Sequence, residues 1–63
     1  MVQPLMTARE VADVLRVSPM TVYRMVRAGS LRAFRVGRQL RIPVEDVQGY
    51  IEAHTIPANG QAS

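Results

Sequence analysis

Arginine is the residue type that gives this 63-residue sequence its clearest chemistry. All eight positively charged side chains are arginine, and seven of them lie between Val14 and Val44, a span that contains no acidic residue. A guanidinium stays charged at every physiological pH and can hold phosphate through two parallel hydrogen bonds. Charges of one sign repel each other within a folded domain unless a polyanion neutralises them. Nucleic acid is therefore the leading partner, ahead of an anionic membrane, because no basic helix here carries a broad apolar face.

The spacing of these side chains defines two groups. Met20, Tyr23, Arg24 and Arg27 recur at i, i+3, i+4 and i+7, which is one stripe of a helix. This stripe is interpreted as a recognition surface, and the alternative is that Met20 and Tyr23 belong to the core. The second group lies around a predicted hairpin turn. The residues predicted to contact DNA are Ser18, Met20, Thr21, Tyr23, Arg24, Arg27, Arg35, Arg38, Gln39 and Arg41.

Catalysis is poorly supported by the remaining polar residues. The chain has no cysteine, and its single histidine, His54, is expected as an exposed cation at the end of a helix. Glu45 and Asp46 are adjacent in sequence, so they diverge on a helix instead of converging on a substrate. No metal-ligand cluster and no glycine-rich phosphate loop is present, and we expect no enzyme activity, no metal and no cofactor.

Two helices joined by a few residues should position the first group. Thr7 and Glu10 have the spacing of a capping box that begins a short helix of about two turns. Ser18 and Pro19 then begin a second helix, which runs to about residue 28 and ends at Gly29. The predicted apolar stripes of the two helices are Ala8, Val11, Ala12 and Leu15, and Val22, Met25 and Val26. The short connection predicts a helix-turn-helix.

A hairpin and a third helix follow. Phe34, Val36, Leu40 and Ile42 are expected to face the core together, around a Gly37-Arg38-Gln39 turn. That register places Val36 opposite Leu40, Phe34 opposite Ile42 and Arg35 opposite Arg41, so the two arginines would bracket one phosphate of the DNA backbone. Residues 44–53 should form the third helix, with Val47, Tyr50 and Ile51 as its apolar stripe.

The predicted fold class is mainly α with a small β-hairpin, a winged helix-turn-helix in the order helix, helix, two-stranded wing, helix. Residues 1–6 are expected to be a lead-in, residues 7–54 the DNA-binding domain, and residues 55–63 a flexible tail. No three consecutive residues are apolar, so we expect no transmembrane helix.

Residues 6–51 resemble the excisionase-type, MerR-like winged-helix family. The residues that carry the resemblance are Thr7, Glu10, Ala12, Val17, Ser18, Thr21, Val22, Arg24, Gly29, Leu31, Arg35, Val36, Gly37, Arg41, Ile42 and Asp46. The resemblance implies DNA binding, with the second helix in the major groove and the wing at the minor groove. For members from phages and integrative elements it also implies cooperative side-by-side assembly that bends DNA for an integrase.

The long dimerisation helix and effector domain of a MerR-type regulator do not follow the third helix, which favours an architectural DNA binder. The resulting hypothesis is a phage or prophage excisionase that binds tandem double-stranded DNA sites and directs integrase-mediated excision. A small stand-alone MerR-like transcriptional regulator is the alternative, and a protein adaptor that binds through Met20 and Tyr23 is a third. We expect a soluble cytoplasmic protein at the nucleoid of a bacterial host. It should be a monomer in free solution that assembles cooperatively on DNA, with an integrase as a further partner.

Overall fold

The computed structural model describes residues 4–56, which form three helices and a three-stranded antiparallel sheet. In chain order the elements are β1 (Leu5–Thr7), α1 (Ala8–Leu15), α2 (Pro19–Ala28), β2 (Phe34–Val36), β3 (Gln39–Pro43) and α3 (Val44–Ala53). The predicted winged helix-turn-helix is confirmed, with one strand more than expected. The wing consists of β2, the Gly37-Arg38 turn and β3.

The helix-turn-helix is set by side-chain caps at the start of each helix. The Thr7 hydroxyl accepts a hydrogen bond from the Glu10 amide at 3.0 Å, and the Glu10 carboxylate accepts one from the Thr7 amide at 2.9 Å. Ser18 caps α2 by accepting from the Thr21 amide at 3.2 Å. These bonds satisfy amides that would otherwise lack a partner in the first turn of each helix, as the sequence predicted.

Both helices end in the same hydrogen-bond pattern, which reverses the chain sharply. After α1, the Val17 amide donates to Ala12 O at 3.0 Å and the Arg16 amide to Asp13 O at 3.3 Å. Gly29 has the corresponding role after α2, with a φ of 88°, whereas Arg16 adopts a left-handed φ of 62° without being glycine. Three residues, 16–18, therefore connect the helices, and α2 is held directly against α1.

The core lies between the three helices and one face of the sheet. Its buried members are Ala8, Val11, Ala12, Val22, Leu31, Ile42 and Val47. Partly buried side chains surround them, namely Met6, Leu15, Met25, Val26, Ala33 and Tyr50. The predicted stripes of α1 and α2 are thus confirmed, but Ile51 of the predicted α3 stripe is exposed.

The predicted hairpin register is wrong by one residue. Phe34 pairs with Arg41, Arg35 with Leu40, and Val36 with Gln39. The turn has two residues, Gly37 and Arg38, and Gly37 has a φ of 63°. Glycine with positive φ at the first position is typical of a tight hairpin turn that matches strand twist. Because side chains alternate along a strand, this shift moves Phe34 and Val36 to the outer face of the sheet.

Part of the predicted lead-in belongs to the sheet. Residues 5–7 pair antiparallel with β3, so that Met6 lies opposite Ile42 and Thr7 opposite Arg41, and the strand order is β1-β3-β2. This pairing places β3 in the centre and ties the start of α1 to the wing. Of the predicted flexible tail, residues 55 and 56 are exposed and irregular, and residues 57–63 lie outside the described part of the chain.

Candidate nucleic-acid interface

The predicted recognition stripe of α2 lies on the surface. Met20 is 60% exposed and Tyr23 is 45% exposed, and Arg24 and Arg27 on the same stripe are also exposed. The alternative that Met20 and Tyr23 form part of the core is therefore wrong. Val22, on the opposite side of α2, is fully buried and fixes the rotation of the helix. The stripe thus points away from the core on a helix that cannot turn freely about its axis.

Ser18 and Thr21 mark the N-terminal end of this stripe. Their hydroxyls are hydrogen-bonded to each other at 3.1 Å, and Ser18 also caps the helix. Both hydroxyls have capacity for another bond, since each carries one donor and two acceptor sites. The first turn of α2 contains no acidic residue, so its free amides and positive dipole end are not neutralised there.

The wing carries the second group of predicted residues, on two faces. Arg41, Gln39, Phe34 and Val36 share the outer face of the sheet, whereas Arg35 shares the other face with Leu40. Arg38 is the second residue of the turn and is exposed. The predicted pair of arginines that would bracket one phosphate is therefore wrong, because Arg35 and Arg41 lie on opposite faces of the hairpin.

Arg41 is held in place by its own strand. Its Nη1 donates to the Gln39 side-chain oxygen at 2.7 Å and to the Leu40 carbonyl oxygen at 3.3 Å. These bonds orient the guanidinium over the outer face of the sheet without neutralising its charge. Gln39, predicted as a DNA contact, therefore has a second role in orienting Arg41.

Two apolar wing residues were missed as surface residues. Phe34 is 50% exposed and Val36 is 53% exposed, although the alternating pattern predicted both in the core. The sequence signal that could have placed them on the surface is Gly37. Only one residue, Arg38, separates Gly37 from Gln39 at the start of β3. Glycine at the first loop position favours a two-residue turn, and that turn length fixes the observed register.

Little of the positive charge is neutralised within the protein. Across residues 4–56, only Arg32 of the eight arginines lies within 4.0 Å of a carboxylate, and its partner is Asp46. Arg32 Nε lies 3.2 Å from Asp46 Oδ2, and Arg32 Nη2 lies 3.1 Å from Asp46 Oδ1. Hydrogen bonding to the guanidinium lowers the pKa of the Asp46 carboxyl, and the same bond raises the pKa of Arg32. The arginines of α2 and the wing remain available to an external anion.

Other kinds of site find little support in residues 4–56. A shallow open cleft of about 450 Å³ is lined by Ser30, Glu45, Asp46, Gly49, Tyr50, Ala53 and His54. His54 Nδ1 lies 2.9 Å from the Tyr50 carbonyl oxygen, and its ring stacks on Tyr50, so this histidine caps α3. In the same range there is no cluster of three or more potential metal ligands, and no helix has the length and apolarity needed to cross a bilayer.

Comparison with known proteins gives a family match and several relatives. The sequence model of a family described as "Helix-turn-helix domain" matches residues 5–55. The chain is 50% identical over 48 residues to the "Putative DNA-binding protein Rv0500A" of Mycobacterium tuberculosis strain H37Rv, covering 76% of this chain and 62% of that protein. It is 50% identical over 44 residues to the "Uncharacterized protein YvgK" of Bacillus subtilis, covering 70% of this chain and 14% of that protein.

A third relative, the "Uncharacterized protein Mb2337" of Mycobacterium bovis, is 42% identical over 48 residues, which are 76% of this chain and 42% of that protein. The matches thus span less than two thirds of the length of each of these relatives. No solved structure matches the chain significantly.

Proposed function

Because the chain belongs to the helix-turn-helix domain family, we propose that it binds double-stranded DNA through α2 and the wing. The observation that carries this proposal is the exposed stripe of α2, on which Arg24 and Arg27 have no carboxylate within salt-bridge distance among residues 4–56. In a helix-turn-helix, the second helix enters the major groove and the first crosses the backbone. The relative from M. tuberculosis that is named as a DNA-binding protein supports the same partner.

The dimensions of α2 fit a major groove. Its ten residues span about 15 Å at 1.5 Å per residue, and a helix with its side chains is about 10–12 Å in diameter, which a groove about 12 Å wide admits. Arg24 lies near the middle of the helix, where its guanidinium can donate two hydrogen bonds to guanine. Arg27, one turn later, is placed to hold a phosphate at the groove edge. Thr21 and Tyr23 complete the surface with a hydroxyl and an aromatic edge.

The wing extends this contact to the flanking DNA. Arg38 at the turn and Arg41 on the outer face add two positive charges, and Phe34 and Val36 between them offer apolar contact to the sugars. Arg35 lies on the opposite face, so it would reach a different phosphate from Arg41. Such contacts add affinity that depends on salt but carry little sequence information.

The specific role that we propose is that of an excisionase. Several copies would load on adjacent sites and stabilise a bent DNA shape that an integrase can use, with the cost of bending offset by added protein contacts. The resemblance of residues 6–51 to the excisionase-type family supports this role. The chain performs no bond-making step in this mechanism, and its arginines act as fixed cations that position and neutralise the DNA backbone.

A salt titration tests the DNA-binding proposal. Fluorescence anisotropy measures the affinity of the 63-residue chain for two DNA duplexes over a range of salt concentrations. One duplex is taken from a genomic library, and the other has a random sequence. Log affinity should fall linearly with log salt, with a slope near −0.9 for each phosphate neutralised. Binding without a salt dependence, or no binding to either duplex, would overturn the proposal and favour the protein adaptor.

Footprinting separates the excisionase from a transcriptional regulator. On a natural site beside an attachment sequence, protection should extend in steps along the DNA as the protein concentration increases, because copies load cooperatively on adjacent repeats. A circular-permutation mobility assay on the same fragment should report bending. One isolated footprint with no cooperativity would contradict the excisionase role and favour a small regulator.

A further inference from the structure

We propose that the Arg32–Asp46 ion pair fixes the position of the wing relative to α2, so that Asp46 is a positioning residue for DNA recognition despite its negative charge. The inference rests on the DNA-binding function proposed above. It concerns the segment that joins α2 to the wing. The sequence analysis predicted no role for this segment.

The segment from residue 29 to residue 33 has few restraints of its own. Gly29 and Ser30 are tied to α2, because the Ser30 amide donates to Met25 O at 2.9 Å and the Gly29 amide to Val26 O at 3.1 Å. From Leu31 to Ala33 the chain has no helix, no strand and no hydrogen bond from its backbone to the backbone of another described residue. Burial of the Leu31 side chain and partial burial of Ala33 hold this stretch against the core. These apolar contacts are non-directional, so they define the orientation of the segment less sharply than a hydrogen bond would.

Arg32 supplies a directional restraint in addition to these apolar contacts. Its two nitrogens engage both oxygens of Asp46 at 3.1 and 3.2 Å, a bidentate arrangement that fixes the guanidinium plane as well as its distance. The Asp46 side chain is only 18% exposed, whereas that of Arg32 is 70% exposed. The anchor is therefore the carboxylate, held in the first turn of α3, and the arginine reaches to it from the connecting segment.

Helix α3, to which Arg32 is bound through Asp46, is connected directly to the wing. Strand β3 ends at Pro43 and α3 begins at Val44, with no intervening residue, and the Val44 amide donates to Pro4 O at 3.0 Å. Strand β2 pairs only with β3 within the described sheet. Attaching residue 32 to α3 therefore fixes the end of α2 relative to the hairpin, and both must fit the DNA at once.

The direction in which one substitution changes DNA affinity distinguishes this role from simple electrostatic attraction. Asp46→Asn removes a negative charge, so a protein that binds DNA by charge alone should bind more tightly after it. If Asp46 positions the wing, specific binding should weaken even though net charge becomes more positive. Glu45→Gln is the matched control, because it removes the same charge from the neighbouring residue in the first turn of α3, and Glu45 makes no ion pair within 4.0 Å in residues 4–56.

The experiment compares the intact chain with Asp46→Asn, Glu45→Gln and Arg32→Lys, on the footprinted duplex and on a random duplex at equal salt. Asp46→Asn should lower the ratio of specific to random affinity by about two- to fivefold, the scale of one well-oriented charged pair. Glu45→Gln should raise both affinities and leave the ratio unchanged. Arg32→Lys keeps the net charge but replaces the planar fork with a point charge, so its ratio should also fall.

NMR order parameters of the backbone of residues 31–33 in the free protein give a reading that needs no DNA. They should fall in Asp46→Asn and Arg32→Lys but not in Glu45→Gln. If the wild-type chain binds DNA and Asp46→Asn changes the two affinities in the same way as Glu45→Gln, the positioning role is wrong. The proposed DNA-binding function is not affected by that result. Absence of wild-type binding to any duplex would overturn the proposed function and this inference with it. If Asp46→Asn fails to fold, Arg32→Lys decides the question.

Discussion

In the proposed complex, Arg24 is the residue that we expect to read a base. It is exposed in the middle of α2, on the same stripe as Tyr23, and Val22 is buried behind it. A guanidinium held on a helix of fixed rotation can meet the O6 and N7 atoms of a guanine together. In the proposed complex, its neighbours on the stripe would contribute shape and charge, and Arg24 would discriminate between bases.

Substitution of Arg24 should therefore change specificity as well as affinity. Arg24→Ala is expected to weaken binding to the specific duplex by about 1–3 kcal/mol and to relax the preference at one base position, as measured by competition with single-base variants. Arg9→Ala is the control, since Arg9 is also exposed and has no carboxylate within 4.0 Å in residues 4–56, but lies on α1. If both variants lost equal affinity, on specific and random DNA alike, Arg24 would be a phosphate contact and not a base-reading residue.

At the scale of elements, the helices were predictable and the wing was not. Thr7, Ser18 and Gly29 carry local signals that depend on a few neighbouring residues, and the structure places all three at the predicted helix ends. The hairpin register was misjudged because four alternating apolar residues suggested a wholly buried face, whereas turn length decides which residues pair. The Arg32–Asp46 pair joins residues fourteen positions apart, and no local pattern identifies such a contact.

Helix α3 contains an element-scale weakness that can be repaired. Gly49 lies inside the helix, and a Cβ added there would meet no atom within 4 Å. Gly49→Ala should raise the free energy of unfolding by about 0.5–1 kcal/mol, because alanine loses less backbone entropy in a helix. For a domain of this size that is a rise of about 4–8 °C in Tm per kcal/mol, measurable by circular dichroism.

The same glycine-to-alanine substitution at a turn serves as the comparison. Gly37→Ala also meets open space, but the φ of 63° makes alanine unfavourable, so this variant should be less stable than the parent chain. If both glycine substitutions shifted Tm in the same direction, backbone conformation would not be the cause. DNA affinity should be unchanged in Gly49→Ala, since α3 carries none of the predicted contacts.

At the scale of the whole molecule, acid should loosen the contact between the connecting segment and α3. The pKa of Asp46 is lowered in the folded chain by its hydrogen bond to Arg32. A lowered pKa in the folded state contributes stability above the pKa of the unfolded carboxyl, about 3.9, and that stability is lost as pH falls through the folded value. Unfolding by urea at a series of pH values should therefore show stability falling below about pH 4.

The Asp46→Asn variant isolates this contribution. Its unfolding free energy should depend less steeply on pH in the acid range than that of the parent chain. The unfolding free energy of Glu45→Gln should still decrease in acid, and by more than that of Asp46→Asn. Identical acid profiles for the parent chain and Asp46→Asn would mean that the pair adds nothing to global stability. The local effect of the pair on residues 31–33 would still be measurable from the backbone order parameters.

The small core described above has a consequence for how long the protein survives in a cell. The core cluster of residues 4–56 contains seven buried side chains, and within that range seven of the eight arginines have no carboxylate within 4.0 Å. Domains below about 70–80 residues rarely gain more than about 3–5 kcal/mol from such a core. A ligand that binds only the folded form protects it from degradation in proportion to its occupancy. Copies on DNA should therefore outlast free copies, which limited proteolysis with and without duplex can measure. Degradation would then remove mainly the free copies and leave those bound to DNA.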